Sequence, residues 1–262
     1  MLVLGLETST PQSSISLSTE HGTLAAASLA RGQSHGEFVV PAIRFCLERA
    51  GMAMGDVNGI AVSLGPGLFT GMRVGIVTAQ TIAHARRLPV VGLPSLDLLA
   101  FSVRHVRRPV CAVIDARRGE LFWAFYRHAP GGLQRVSEFR LGPPGKLAGE
   151  MEANNDDVLA VGNGARAHRA LLESTGAEVA AALFAYPSAE ALCELALPRF
   201  LREDTQRPEE LRPIYIRRAD AKIGWKQRGA LRGGKGQSAV EVPGVAGEQV
   251  RRAPGAAGEQ AP

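Results

Sequence analysis

Cysteine is scarce in this chain. Cys46, Cys111 and Cys193 are far apart, odd in number and form no C-x-x-C. That excludes a disulfide framework and a cysteine metal site, and it fits small apolar side chains packed in a reducing compartment. No run of about 18 apolar residues occurs, so no membrane-spanning helix is expected. The opening "MLVLGLETST" lacks a basic stretch and carries Glu7 early, so it reads as a buried first strand and not as an export signal. A cytoplasmic protein is the expectation. The six histidines form no H-x-x-x-H or H-E-x-x-H, and no G-x-S-x-G is present. Metal-hydrolase and serine-hydrolase signatures are therefore missing.

Charge of one sign is lacking over most of the chain. The formal net charge is +5, yet residues 217–235 carry seven Lys/Arg against Asp220 alone. That segment is +6 and everything else is −1, so the body offers no broad basic face for nucleic acid. The basic segment could touch RNA electrostatically, or be a solvated tail. From about residue 224 apolar periodicity ends, and "PGVAGEQ" recurs as "PGAAGEQ" eleven residues later. Such a segment buries too little surface to offset its chain entropy, so a disordered basic Gly/Pro/Ala-rich tail is expected over 222–262.

What is present is an α/β alternation. Leu2–Leu6, "SSISLS" and "LAAASLA" read as three strands. Ser34 and Glu37 fit a capping box opening a helix that ends at Gly51, with Pro41 inside it predicting a kink or a later start. "GIAVSLG", a helix over 70–87 and "LPVVGL" follow. After a short helix at 96–103 the pattern restarts: strands in "PVCAVIDA", "ELFWAFYR" and "RVSEFRL", then "DVLAVGNGA", a helix in "RAHRALLEST" and a last helix over 188–201. Three strands, helix, strand, helix occurs twice. This predicts two related α/β lobes of duplicated βββαβα units, 1–95 and 96–221.

The stretch "GPGLFTGMRVG" (65–75) invites a phosphate-loop reading. A Walker loop needs G-x-x-x-x-G-K-[ST], but five residues after Gly65 stands Thr70, and no lysine follows Gly71. Gly65, Gly67 and Gly71 miss the dinucleotide fingerprint by one residue. Further on, Gly71, Gly75, Ala79 and Ala83 form one narrow stripe at spacing four. Glycine costs up to about 1 kcal/mol inside a helix, so two on one stripe imply a close backbone neighbour. On the preceding helix Val39, Ile43, Cys46 and Ala50 make one apolar face, and Phe38, Ala42 and Phe45 a second. That width means either deep burial or a partner protein, and the sequence leaves both open. Glu7 and Asp115 end strands, where α/β folds put catalytic groups; "ETST" and "DARRG" equally suit turn caps.

"LGLETST…SISL", "GPGLFTGMRVGIVTAQTIA", "LPVVGLPSLDLLA", "IDARRGELF", "VGNGA" and "RPIYIRRADA", in order from residue 2 to about 221, together resemble the TsaB (YeaZ) family. The resemblance implies a two-lobed actin-like (hexokinase/Hsp70-type) ATPase fold. It implies a non-catalytic dimerisation subunit for TsaD, which transfers threonylcarbamoyl to tRNA adenosine with TsaE completing the system. TsaD carries a metal-binding H-x-x-x-H in a segment that here reads "VVGLPSLDLLA", without histidine. The D-x-G-T phosphate loop of the fold here reads "ETSTPQSS", with Glu7 for Asp and Ser9 for Gly. No cofactor, metal or catalytic residue is therefore expected. The family's partner-binding helices correspond to 35–50 and 70–87, which by helical phase offers Phe38, Ala42, Phe45, Gly71, Met72, Gly75, Ile76 and Ala79 as interface residues, with Glu48 and Arg73 as polar contacts. A homodimer is the expectation when TsaD is absent, with tRNA touched at most indirectly. The alternative is an actin-like enzyme, a nucleotide hydrolase or M22-type glycopeptidase, with Glu7, Thr8 and Asp115 facing a cleft.

Overall fold

The computed structural model describes residues 1–30, 34–130, 132–154 and 157–217. The expected tail lies outside them. Residues up to 217 belong to one compact unit built on two sheets.

The first sheet contains β1 (Val3–Glu7), β2 (Ser13–Thr19), β3 (Gly22–Leu29), β4 (Gly59–Ser63) and β5 (Val90–Leu93), in the order β3-β2-β1-β4-β5. β1 pairs antiparallel with β2, Leu4 opposite Leu17, and parallel with β4, Leu4 opposite Ile60. α1 (His35–Ala50) joins β3 to β4, α2 (Phe69–Arg86) joins β4 to β5, and α3 (Ser95–Phe101) follows. The second sheet contains β6 (Val110–Arg117), β7 (Glu120–Ala129), β8 (Gly132–Arg135), β10 (Leu159–Val161) and β11 (Glu178–Val179), in the order β11-β10-β6-β7-β8, with β9 (Arg140–Gly142) also on β7. α4 (Pro144–Asn154), α5 (Asn163–Ala167), α6 (Arg169–Glu173) and α7 (Ala189–Leu201) complete it. Counted within each sheet, with β9 left out, the strand order is 3-2-1-4-5 both times, with the first three strands a meander. That is the duplicated, actin-like arrangement the sequence predicts.

β1 and β4 are buried along their whole length because both faces are covered, and only their last residues, Glu7 and Ser63, are polar. Leu4, Leu6, Ile15, Leu17, Ile60 and Val62 pack under α1 and α2. Val3, Ala61 and Val91 pack against Leu192, Cys193, Ala196 and Phe200 of α7. α7 thus lies on the first sheet although it follows the second in sequence. A β-carbon at Gly5 would stand 2.6 Å from Cys193 Sγ, which shows how tightly α7 sits. α3 divides its side chains: Leu98 joins the α7 cluster, while Leu96 and Leu99 join Val110, Ile114 and Phe122 of the second sheet.

Three local expectations need correction. α1 begins after Ser34, but Ser34 (φ −104°, ψ 23°) makes no side-chain cap, because its backbone is outside the extended region a capping hydroxyl needs. α1 runs through Pro41, whose place is exposed, so water can satisfy the carbonyl that loses its donor. "RVSEFRL" is not one strand: β8 ends at Arg135 and β9 starts at Arg140. The sequence reading also missed α4, whose Gly145 and Gly149 weaken the helical signal. Pro144 at the first turn and buried Leu147 and Met151, four apart, hold it on the sheet.

Candidate functional site

The turn after β1 is the centre of the first lobe. Glu7, Thr8, Ser9 and Thr10 are all 0–1% exposed. Glu7 Oε1 accepts hydrogen bonds from Ser9 N and Ser9 Oγ, both at 2.6 Å. Glu7 Oε2 and Ser63 Oγ are buried without a hydrogen-bond partner among the described residues. Burial pushes the Glu7 carboxyl from 4.5 up to about 7, with Ser63 and Ser9 opposing that rise. Ser63 moderates the charge although its hydroxyl and Oε2 do not meet in hydrogen-bond geometry.

The 65–75 segment closes over this turn. Leu68 N donates to Ser9 O at 2.7 Å, and Thr8 Oγ1 donates to Gly71 O at 2.8 Å. A β-carbon at Gly67 would lie 2.0 Å from Ser9 O, one at Gly71 2.1 Å from Thr8 O, and one at Gly75 2.3 Å from Thr8 Oγ1. None of these fits, so only glycine allows the approach. Ser95 holds the other side of the loop, donating from N to Gly65 O (2.8 Å) and from Oγ to Pro66 O (2.5 Å). The stripe does mark a close backbone neighbour, but that neighbour is the chain's own β1 turn.

This corrects the interface reading of helical phase. Gly71, Met72, Gly75, Ile76 and Ala79 are buried on the sheet side of α2, and Ala42 is buried on α1. Phe38 is half-buried and Phe45 is 46% exposed. The outward face of α2 carries Phe69, Arg73 and Val77 instead, four residues apart, with Val77 58% exposed. On α1 it carries Val40 (59% exposed), Arg44 and Glu48. The small-residue stripe and the outward stripe differ by about half a turn, and composition alone assigns neither to solvent.

Asp115 lies near the end of β6, two residues before its last residue Arg117, and is half-buried. Its Oδ1 accepts from Arg117 N at 2.8 Å, and its own N donates to Asn163 Oδ1 at 3.2 Å. It therefore caps the turn into β7, where Arg117, Arg118 and Gly119 all have positive φ. No hydrogen bond or ion pair joins it to Glu7 or Thr8. His35, unremarked in the sequence, sits buried at the start of α1, its Nδ1 2.6 Å from Ser13 Oγ, and burial lowers its pKa. Among the described residues no three His, Cys, Asp or Glu side chains converge as a metal site would require.

The last described segment straps the lobe. Gln80 Nε2 donates to Pro208 O (3.0 Å), Ile214 N to Leu64 O (2.8 Å) and Arg73 Nε to the Tyr215 hydroxyl (3.1 Å). Arg217 then reaches Ala116 O at 3.2 Å and forms an ion pair with Glu120.

Comparison with known proteins agrees with this architecture. The family model of TsaD, tRNA N6-adenosine threonylcarbamoyltransferase, matches residues 29–225. The tRNA threonylcarbamoyladenosine biosynthesis protein TsaB of Escherichia coli is 29% identical over 230 residues, 87% of this chain and 98% of that protein. The TsaB of Bacillus subtilis is 32% identical over 136 residues, 52% of this chain and 59% of that protein. The crystal structure of YeaZ from Pseudomonas aeruginosa is 29% identical, with a TM-score of 0.72 over 82% of this chain and 99% of that one. No described helix is long and apolar enough to cross a membrane. With a matching family model over most of its length, relatives aligned nearly end to end and a shared fold, the chain belongs to the TsaB (YeaZ) family of tRNA threonylcarbamoyladenosine biosynthesis proteins.

Proposed function

We propose that this chain is a non-catalytic subunit in tRNA threonylcarbamoyladenosine formation, pairing with a TsaD-type transferase, with TsaE in the larger assembly. The observation that carries this reading is the closure of the β1 turn. In an actin-like ATPase that turn must open its amides to a phosphate; here Leu68 N is 2.7 Å from Ser9 O, and Gly67 and Gly71 lie against the carbonyls of Ser9 and Thr8. A phosphate would have to displace a helix start that is bonded on both sides.

What such a protein offers is a surface. The outward faces of α1 and α2 present Val40 and Val77, each more than half exposed, beside Arg44, Glu48 and Arg73. Two helices of this kind suit packing against the equivalent helices of a homologous protein. In its absence the same face would serve a homodimer.

The rival reading, an actin-like hydrolase, draws on the Glu7 carboxyl, which burial pushes up to about 7 as a general acid–base requires. Its complete burial opposes that role, since a substrate atom must reach it.

The deciding experiment is co-purification of this chain with a TsaD-type protein, followed by size and stoichiometry. Val77→Arg should abolish a one-to-one complex while leaving thermal unfolding unchanged. Tight stoichiometric magnesium–ATP binding by the chain alone, measured by calorimetry, would overturn the non-catalytic reading.

A further inference from the structure

The first sheet ends on one side at β3, which pairs with β2 alone among the described strands. An end strand leaves a row of amides and carbonyls open, and folds blunt such edges with charge, proline or cover. β3 reads GTLAAASL, with no Lys, Arg, Asp, Glu or Pro, and most of it is exposed. Leu17 pairs with Ala25 and Ser18 with Thr23, so Leu24 is a bulge and residues 25–29 are the regular part. Beside this edge runs a groove of about 490 Å³, floored by Ala27 and Leu29 and walled by Phe38, Pro41 and Phe45 of α1.

The groove flank of α1 carries a row four residues apart: Glu37, Pro41, Phe45 and Arg49, all exposed. The Arg49 guanidinium lies 5.6 Å from the Phe45 ring centre. Among the described residues neither Glu37 nor Arg49 makes an ion pair. A helix turns about 100° per residue, so this row lies about a quarter-turn from the face of Val40, Arg44 and Glu48. It is negative at one end, apolar in the middle and positive at the other. Turned end for end, it complements itself. Glu37 with Arg49 and Pro41 with Phe45 are both centred on residue 43, so one two-fold axis serves both pairs.

The same axis suits the sheet. α1 covers β2 and β3. Strands stand about 4.8 Å apart, so pairing β3 with a second β3 would set the two α1 axes about 10 Å apart, the distance at which helices pack. An extended peptide would satisfy the edge and leave Glu37 and Arg49 unmatched. A small apolar molecule would fill the groove and leave the edge open.

We infer that the β3 edge and its groove are an interface between two copies of this chain. Residues 25–29 pair antiparallel with the same residues of the second copy, and α1 packs antiparallel on the second α1. Glu37 then faces Arg49 of the second copy, and Phe45 closes the groove over its Pro41. This contact does not rest on pairing with a TsaD-type protein, which uses the outward face of α1 and α2 in the reading above.

The test is sedimentation equilibrium of the full chain alone, from about 1 to about 100 μM, which should show a monomer–dimer equilibrium. Phe45→Glu should weaken the dimer at least about a hundredfold, since two central aromatic contacts are lost. Glu37→Arg or Arg49→Glu alone should weaken it about tenfold, as two attractive contacts become repulsive. Glu37→Arg with Arg49→Glu restores the complement and should restore the dimer. Ala26→Lys, at an exposed edge position, should also weaken it. Val77→Arg, on the outward face, should leave it unchanged. A chain that stays monomeric throughout would overturn the proposal, as would a double reversal that pairs no better than either single change. So would a Phe45→Glu protein, folded by circular dichroism, that dimerises as the parent does, or a dimer that Val77→Arg dissociates.

Discussion

Glu7→Gln should remove a pH-dependent weakness from the fold. The carboxyl is fully buried, and burial moves it from 4.5 up to about 7 in the folded protein. Between those values the folded state holds a proton that the unfolded state has released, so this group's contribution is complete below about pH 4.5 and is lost as pH rises through about 7. A shift of that size corresponds to about 3 kcal/mol in total, of which roughly 2.5 falls between about pH 5 and pH 8. Glutamine has the same shape. Its carbonyl can accept from Ser9 N and Ser9 Oγ as Glu7 Oε1 does, and its amide gives the orphaned Ser63 Oγ a donor. The assay is urea and thermal unfolding of both proteins across that pH range. The readout is the difference between them, which cancels every other titrating group. The variant should gain on the parent steadily with pH, reaching a Tm advantage of roughly 5–10 °C at about pH 8. A difference that does not change with pH would refute the argument, because it would mean that Glu7 ionises in the fold as freely as in the unfolded chain.

Three other substitutions follow from the same packing. Gly71→Ala would put a β-carbon 2.1 Å from Thr8 O, a backbone atom that cannot move aside, so chemical denaturation should show a loss of at least about 3 kcal/mol or no folded protein. Gly149→Ala, on the exposed face of α4 with nothing within 4 Å, should instead raise stability by about 0.5–1 kcal/mol. His35→Asn bears on the acid side: burial lowers the His35 pKa, so the parent should lose stability as pH falls through the unfolded value of 6.5, and unfolding curves for the variant should lack that component.

The elements were legible because their signals are local. Alternating serines and aliphatics in "SSISLS", continuous apolar runs in β1 and β4 and Gly51 at φ 65° after α1 each need only neighbours in sequence. The duplication could be read from their succession, while the strand order within each sheet came from the structure. α4 escaped because two glycines depress its helical propensity, and burial of Leu147 and Met151 compensates from a distance. The site was half legible. The stripe of Gly71 and Gly75 announced a close neighbour, but spacing gives an interval and no direction. Phase was therefore assigned outward, where the structure turns it in toward Thr8.

Composition and periodicity by themselves determined that this chain makes two α/β units, that its cations gather from residue 217 on, and that Gly71 and Gly75 lie on one stripe against a close backbone neighbour. Those properties follow from chain entropy, side-chain period and backbone sterics, all of which act over a few residues. Only the tertiary structure decided which backbone those glycines admit, that Glu7 is fully buried, and that Tyr215 meets Phe69 and, across 142 positions, Arg73. Contacts of that range depend on how covered faces stack, and no local interaction energy encodes the outcome.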